Sequence, residues 1–321
     1  LKPVIGVVIG DPGGIGPEVV VKALASGEPQ QLGDVVLVGS VDALKLAAEY
    51  SNVTLRFEAV ASPPDPGEFV DGVIPVIDTG ALDPANITIG KPSVFAGEAT
   101  VAWMNQGIAL AESGAIDGLI IAPVDTTSFK LADIDVDSYF EPHGILLLRQ
   151  TGLLRTVPIA EHVLIRDVPA MVTKDRVLDV IATVDAQFKT WGEQAARIAV
   201  AGLNPHCAGS EDTAEIAPAI AAARERGIDA SGPYSPDTVF RRGVNGDFDV
   251  IVTMYHDQGQ IAVKTIGLEN ACGIFIGLPY VRVGIPHGSA MDIAGRNIAH
   301  PGTALLALKT AARLAAGGGL N

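Results

Sequence analysis

VIGVVIG (residues 4–10) runs directly into DPGGIGPEVVVKALA (residues 11–25), and the order of these two stretches decides the architecture. The first is short, apolar and rich in β-branched residues, as a strand buried on both faces requires. The second opens on a glycine-rich turn and then places Pro17 where a missing N–H costs a helix least. The same alternation returns along the chain. Residues 35–38, 118–121, 198–203 and 250–254 read as further buried strands. Residues 95–113, 213–226 and 303–315 read as helices, with Gly114 and Gly227 at helix stops. Such alternation predicts an α/β fold built on a largely parallel sheet covered by helices.

Composition narrows the function classes. With 321 residues, 48% of them hydrophobic, the chain has enough apolar material for two α/β lobes. A formal net charge of -15 repels phosphate backbones and anionic lipid, and an aromatic content of 5% leaves few stacking platforms, so nucleic-acid partners are not expected. No apolar run is long enough to cross a bilayer, so no membrane partner is expected either. Cys207 and Cys272 form neither a CxxC pair nor a disulfide framework, which fits a reducing compartment; with no basic–apolar–small leader pattern, the cytoplasm is the expected location.

Three histidines stand just past the carboxyl ends of apolar stretches: His162 after 157–160, His206 in GLNPH (residues 202–206) and His256 in MYHDQG (residues 254–259). Ligands bind at that end of open α/β sheets. Imidazole suits a borderline divalent cation, and three protein ligands with one open position make a catalytic metal site. Each histidine could equally bond a backbone carbonyl in a loop. Asp257 beside His256, and Asp237 in the sequence PDT (residues 236–238), are candidates to orient a ligand or take a proton, or are turn and capping aspartates.

The glycine-rich turn, GDPGGIGPE (residues 10–18), is neither GxGxxG nor a P-loop, because no GK[ST] follows. It reads either as an anion-binding helix start or as a tight strand-to-helix turn. Near the other end, HGSAMDIAGR (residues 287–296) would make a loop of small residues able to wrap a flat polar ligand.

Together GDPGGIGPE, GLNPH, MYHDQG and HGSAMDIAGR resemble the 4-hydroxythreonine-4-phosphate dehydrogenase family, in that family's order and over nearly the whole chain. The first and last motifs also look like those of isocitrate and isopropylmalate dehydrogenases, which share the fold. The resemblance implies a two-lobed α/β/α subunit with a cleft between lobes: residues 1–130 plus 265–321 as the cofactor lobe, and 131–264 as the metal and dimer lobe. It implies a homodimer with its active site near the subunit interface. It implies a divalent metal, zinc foremost with magnesium, manganese or cobalt as alternatives, on His162, His206 and His256. It implies NAD, its adenosine side held by His287, Gly288, Ser289, Ala290, Asp292, Ile293 and Ala294. His143, Lys264 and Arg282 match substrate-binding positions, and Lys264 joins Asp237 and Asp257 as a catalytic candidate.

The substrate side departs from the family pattern. Gly144 and Ile145 stand where a threonine and a glutamate usually follow the histidine, and Gly273 stands where the family has an asparagine. Lost hydroxyl and amide donors weaken a phosphate pocket. The expectation therefore leans to NAD-dependent, metal-dependent oxidation with decarboxylation of a carboxylated cis-dihydrodiol such as the terephthalate dihydrodiol. The alternatives are dehydrogenation of 4-phosphohydroxy-L-threonine in pyridoxal phosphate biosynthesis, a non-catalytic metal- or ligand-binding protein on the same scaffold, and a phosphate-handling transferase using the glycine turn.

Overall fold

The computed structural model describes residues 1–135, 139, 144–267 and 271–320. Its strands are β1 (Val4–Val8), β2 (Asp34–Val38), β3 (Arg56–Ala59), β4 (Val73–Ile77), β5 (Gly118–Ile121), β6 (Leu146–Thr151), β7 (Leu154–Ala160), β8 (Ile198–Ala201), β9 (Ala230–Tyr234), β10 (Val250–Tyr255), β11 (Ala271–Ile276) and β12 (Val281–Gly284). The described helices are α1 (Gly16–Ala25), α2 (Glu28–Leu32), α3 (Val41–Tyr50), α4 (Val94–Glu112), α5 (Thr126–Leu131), α6 (Val168–Met171), α7 (Lys174–Thr190), α8 (Ala217–Glu225), α9 (Val239–Val244), α10 (His256–Gly267) and α11 (Gly302–Ala315).

The chain forms two compact units. The first comprises Leu1–His143 and Leu278–Ala316. Its strands run in the order β3-β4-β2-β1-β5-β12, and every neighbouring pair is parallel. β1 is buried along its whole length, as the run VIGVV predicts for a central strand, and α4 and α11 both pack on β1 and β5. Ser93 and Asp125 cap α4 and α5 by accepting the N–H groups of Ala96 and Ser128.

The second unit comprises Gly144–Gly277 and Gly317–Asn321, with strand order β11-β6-β7-β10-β8-β9. β7, β10, β8 and β9 are parallel, whereas β6 pairs antiparallel with both β7 and β11. Leu154, Ala199, Val239, Ile251 and Val263 build one core cluster of this unit.

The crossings between units differ from the expected 130/131 and 264/265. Residues 271–276 pair with β6 and so belong to the second unit, and the tail returns there because the Leu320 carbonyl accepts the buried Arg155 Nη2 at 2.7 Å. The helix expected over 213–226 also differs. Asp212–Ile216 is a π-turn and α8 begins at Ala217, because Pro218 has no N–H to continue an α-helical ladder. Among the described residues, no helix is long and apolar enough to cross a membrane.

Candidate metal and cofactor sites

In the second unit, strand register assembles a cluster of ligands. β7 and β10 are adjacent and parallel, and Ala160 pairs with Tyr255 at their carboxyl ends. Glu161 and His162 therefore leave the sheet beside His256. One ligand atom from each of Glu161, His162 and His256 lies within 4.8 Å of the others, the one such group found among the described residues. The His162 and His256 rings are 5.0 Å apart, centroid to centroid.

His256 and Glu161 are held from behind. His256 starts α10, and its Nδ1 lies 2.6 Å from Asp257 Oδ1, which leaves Nε2 to act as a ligand. Gln258 accepts the Met254 N–H at 2.8 Å and donates to the Gly202 carbonyl at 3.0 Å, tying α10 to the end of β8. Glu161 is gripped by both terminal nitrogens of Arg149, at 2.5 and 3.1 Å, and the arginine side chain is 8% exposed against 26% for the glutamate. Glu161 and Arg149 were not among the residues picked out from the sequence. A lone Glu before a His carries no spacing signal, and its arginine partner becomes visible only across the β6–β7 pairing.

His206 stands in the turn that follows the next strand. β8 pairs with β10 on its other side, and GLNPH follows β8. Within one chain, His206 lies outside the Glu161–His162–His256 group. Its turn is organised by Asp212, which is fully buried and accepts from Leu203 N at 2.8 Å, Asn204 Nδ2 at 2.9 Å and Gly209 N at 3.0 Å. His206 and Cys207 both take left-handed φ, 58° and 55°, and His162 takes 21°. Non-glycine residues hold such conformations only where their surroundings impose them, and such sites are often functional. Burial and the nearby Asp212 push the Cys207 thiol pKa up, and Gly202 N donates to the Tyr234 carbonyl at 2.8 Å, which brings the segment carrying Asp237 beside this turn. Ser235 Oγ donates to Asp237 at 2.7 Å.

The donor set suits a borderline divalent cation: imidazole nitrogens with a carboxylate oxygen, at parallel strand ends, with His256 turned to offer Nε2. Lys264 is exposed on α10, eight residues after His256 and so about 12 Å further along the helix axis.

In the first unit, the HGSAMDIAGR loop lies against the glycine-rich turn. Ile15 N donates to the Ser289 carbonyl at 2.8 Å, Ser289 Oγ donates to Asp125 Oδ2 at 2.7 Å, and His287 Nε2 lies 2.8 Å from Thr303 Oγ1. Ala290 takes φ 41°. Gly288 and Asp292 are exposed, His287, Ala290 and Ile293 are half-buried, and Ser289 and Ala294 are buried. The glycines serve this packing. A Cβ on Gly14 would lie 2.7 Å from Ser289 Cβ, and one on Gly10 would lie 2.2 Å from the Pro123 carbonyl oxygen. The turn is thus a tight strand-to-helix connection filled by protein, the second of the two readings offered for it. Asp11 within it is 1% exposed, and burial raises its pKa to about 6.

Arg282, on β12, is 3% exposed and donates from Nη2 to the Tyr139 carbonyl at 2.5 Å; burial lowers its pKa. His143 lies outside the described residues. Gly273 is the cross-strand partner of Arg149, so a guanidinium stands on the same sheet face as the amide missing there.

Comparison with known proteins follows the same lines. The model of the family described as pyridoxal phosphate biosynthetic protein PdxA matches residues 31–311. A Novosphingobium aromaticivorans protein, provisionally named a 4-hydroxythreonine-4-phosphate dehydrogenase, is 41% identical over 322 residues, covering 100% of this chain and 97% of its own. A Symbiobacterium thermophilum protein, provisionally named a D-threonate 4-phosphate dehydrogenase, is 36% identical and covers 98% of this chain and 97% of its own. The solved structure of a Salmonella typhimurium protein, given provisionally as a 4-hydroxythreonine-4-phosphate dehydrogenase, matches with a TM-score of 0.87 at 31% identity, covering 98% and 100% of the two chains. A Burkholderia xenovorans terephthalate 1,2-cis-dihydrodiol dehydrogenase matches with a TM-score of 0.70 at 27% identity, covering 99% of each chain. These findings favour the alternative of a phosphorylated hydroxy acid over the dihydrodiol, because the more similar relatives are named for phosphorylated substrates.

Proposed function

Because this chain belongs to the pyridoxal phosphate biosynthetic protein PdxA family, we propose that it is an NAD-dependent, divalent-metal-dependent dehydrogenase of a small phosphorylated hydroxy acid. The observation that carries this reading is the meeting of His162 and His256 at the paired ends of β7 and β10.

His162 and His256 would hold the cation, and His206 would join them from a second subunit of the homodimer that the family resemblance implies. When bound, the cation supplies Lewis acidity that eases deprotonation of the substrate hydroxyl. Asp257 orients His256 and keeps Nε2 free to ligate. Lys264 and Arg282 supply positive charge for the substrate's phosphate or carboxylate. The HGSAMDIAGR loop, with Ser289 fixed by Asp125, would receive the adenosine side of NAD. NAD, when bound, would supply the hydride acceptor for the substrate's carbinol carbon, and we assign acceptance of the hydroxyl proton to Asp237, whose segment lies beside the His206 turn. Where the substrate carries a β-carboxylate, the ketone formed allows CO2 to leave.

The test is NADH formation by the chelator-stripped and metal-restored protein. Candidate substrates are 4-hydroxythreonine 4-phosphate, D-threonate 4-phosphate and terephthalate dihydrodiol. Metal-dependent turnover of a phosphorylated acid supports the reading. Full turnover after metal removal, or turnover of the dihydrodiol alone, overturns it.

A further inference from the structure

We propose that Glu161 is itself a ligand of the cation held by His162 and His256, and that Arg149 is the positioning residue that aims its carboxylate. This inference rests on the metal-dependent reading above and adds to it a residue that the histidine pattern does not contain.

Three observations converge. First, the Ala160–Tyr255 pairing brings Glu161 out of the sheet beside His256, and its carboxylate reaches within 4.8 Å of both ring nitrogens. Second, the carboxylate is already fixed. Arg149 binds one oxygen from Nη1 and the other from Nη2, so little side-chain freedom is left to lose when a cation arrives. A carboxylate has about four lone-pair sites, and a forked guanidinium occupies only about two of them. Third, the charges balance. Arg149 balances the charge of Glu161, and a dication beside the two imidazoles meets a carboxylate already held in place. Two imidazoles and one carboxylate from a single chain are a recognised donor set for a divalent cation, and with His206 from a second subunit the substrate oxygen would take a fifth position. The carboxylate also biases the site towards cations that accept oxygen ligands and away from purely thiolate-type ions.

The experiment is a Co(II) titration of the chelator-stripped full-length protein, read by visible absorption and by competition with a chromophoric chelator. Glu161→Gln keeps the shape and removes the charge. It should weaken Co(II) binding about tenfold to a hundredfold and change the absorption spectrum. Since Glu161→Gln alone leaves Arg149 without its counter-charge, the double variant Glu161→Gln/Arg149→Met is measured in parallel. It removes both partners, so it should fold as the parent does while still losing Co(II) affinity. Unchanged affinity and spectrum in both variants overturn the Glu161 assignment and leave the metal-dependent reading standing. Failure of the parent protein to take up Co(II) overturns both. Loss of binding in the folded double variant establishes the ligand.

Discussion

Asp257 Oδ1 lies 2.6 Å from His256 Nδ1. The contact joins neighbours in the chain at the first turn of α10, where a carboxylate also complements the positive end of the helix dipole. Because the Asp257 side chain is 70% exposed, it contributes little to stability, and its effect is on the orientation of the imidazole. Asp257→Ala should lower metal affinity about tenfold or more while leaving the thermal unfolding midpoint within experimental scatter. An unchanged metal affinity in a chelator competition would remove Asp257 from the orienting role.

Ser289 and Gly14 set the seat of the HGSAMDIAGR loop. Asp125 caps α5 through Ser128 N and also accepts Ser289 Oγ, so one carboxylate serves both the helix and the loop. Asp125→Ala should cost about 1 kcal/mol of stability from the lost cap and raise KM for NAD, with a smaller change in kcat. Gly14→Ala forces its Cβ against Ser289 and should raise the same KM without touching a cap. Steady-state kinetics with NAD varied would show both effects, and a change confined to the KM of the hydroxy acid would contradict them.

Asp11 predicts a pH dependence of stability. Its pKa is raised from 3.8 to about 6 by burial, so the folded state holds this proton more tightly than the unfolded chain. The contribution is present below about pH 4 and is lost as pH rises through about 6, on the order of 3 kcal/mol at most. Asp11→Asn keeps an oxygen for Gly13 N–H, which Asp11 Oδ1 now accepts at 2.7 Å. In denaturant titrations from pH 4 to pH 7, the parent should lose this increment relative to the variant; parallel curves would refute the assignment.

Asp212 is the most consequential buried carboxylate of the second unit, since its three accepted bonds hold the turn that presents His206. Asp212→Ala leaves buried donors without partners and should destabilise the unit by roughly 3 kcal/mol or more. Asp212→Asn retains one acceptor and turns the other into a donor facing Asn204 Nδ2 and Gly209 N–H, so it should fall between parent and alanine. Circular dichroism melts with metal analysis of the purified variants would give the order, and an alanine variant as stable as the parent would refute it.

Much of the architecture was legible in local sequence. The runs at 4–9, 118–121 and 250–254 became β1, β5 and β10 to within a residue or so. Apolar β-branched stretches of that length can be buried in few other ways. β3, β4, β6, β9, β11 and β12 were not among the strands read from the sequence; β3 is largely exposed and β9 carries Gly232 and Pro233, so neither of those two shows an apolar run. The positions of His162, His206 and His256 past strand ends were readable for the same local reason.

The sequence by itself determined an α/β chain, its family, and the residue types available at the strand ends, because these depend on short-range pattern and on motif identity. Only the tertiary structure decided which of them meet. Register between β7 and β10, set across nearly a hundred residues of chain, put Glu161 with His162 and His256 and left His206 on its own turn. Antiparallel β6 then delivered Arg149 to Glu161. Side-chain convergence of this kind depends on strand order and register, which no local window of sequence encodes.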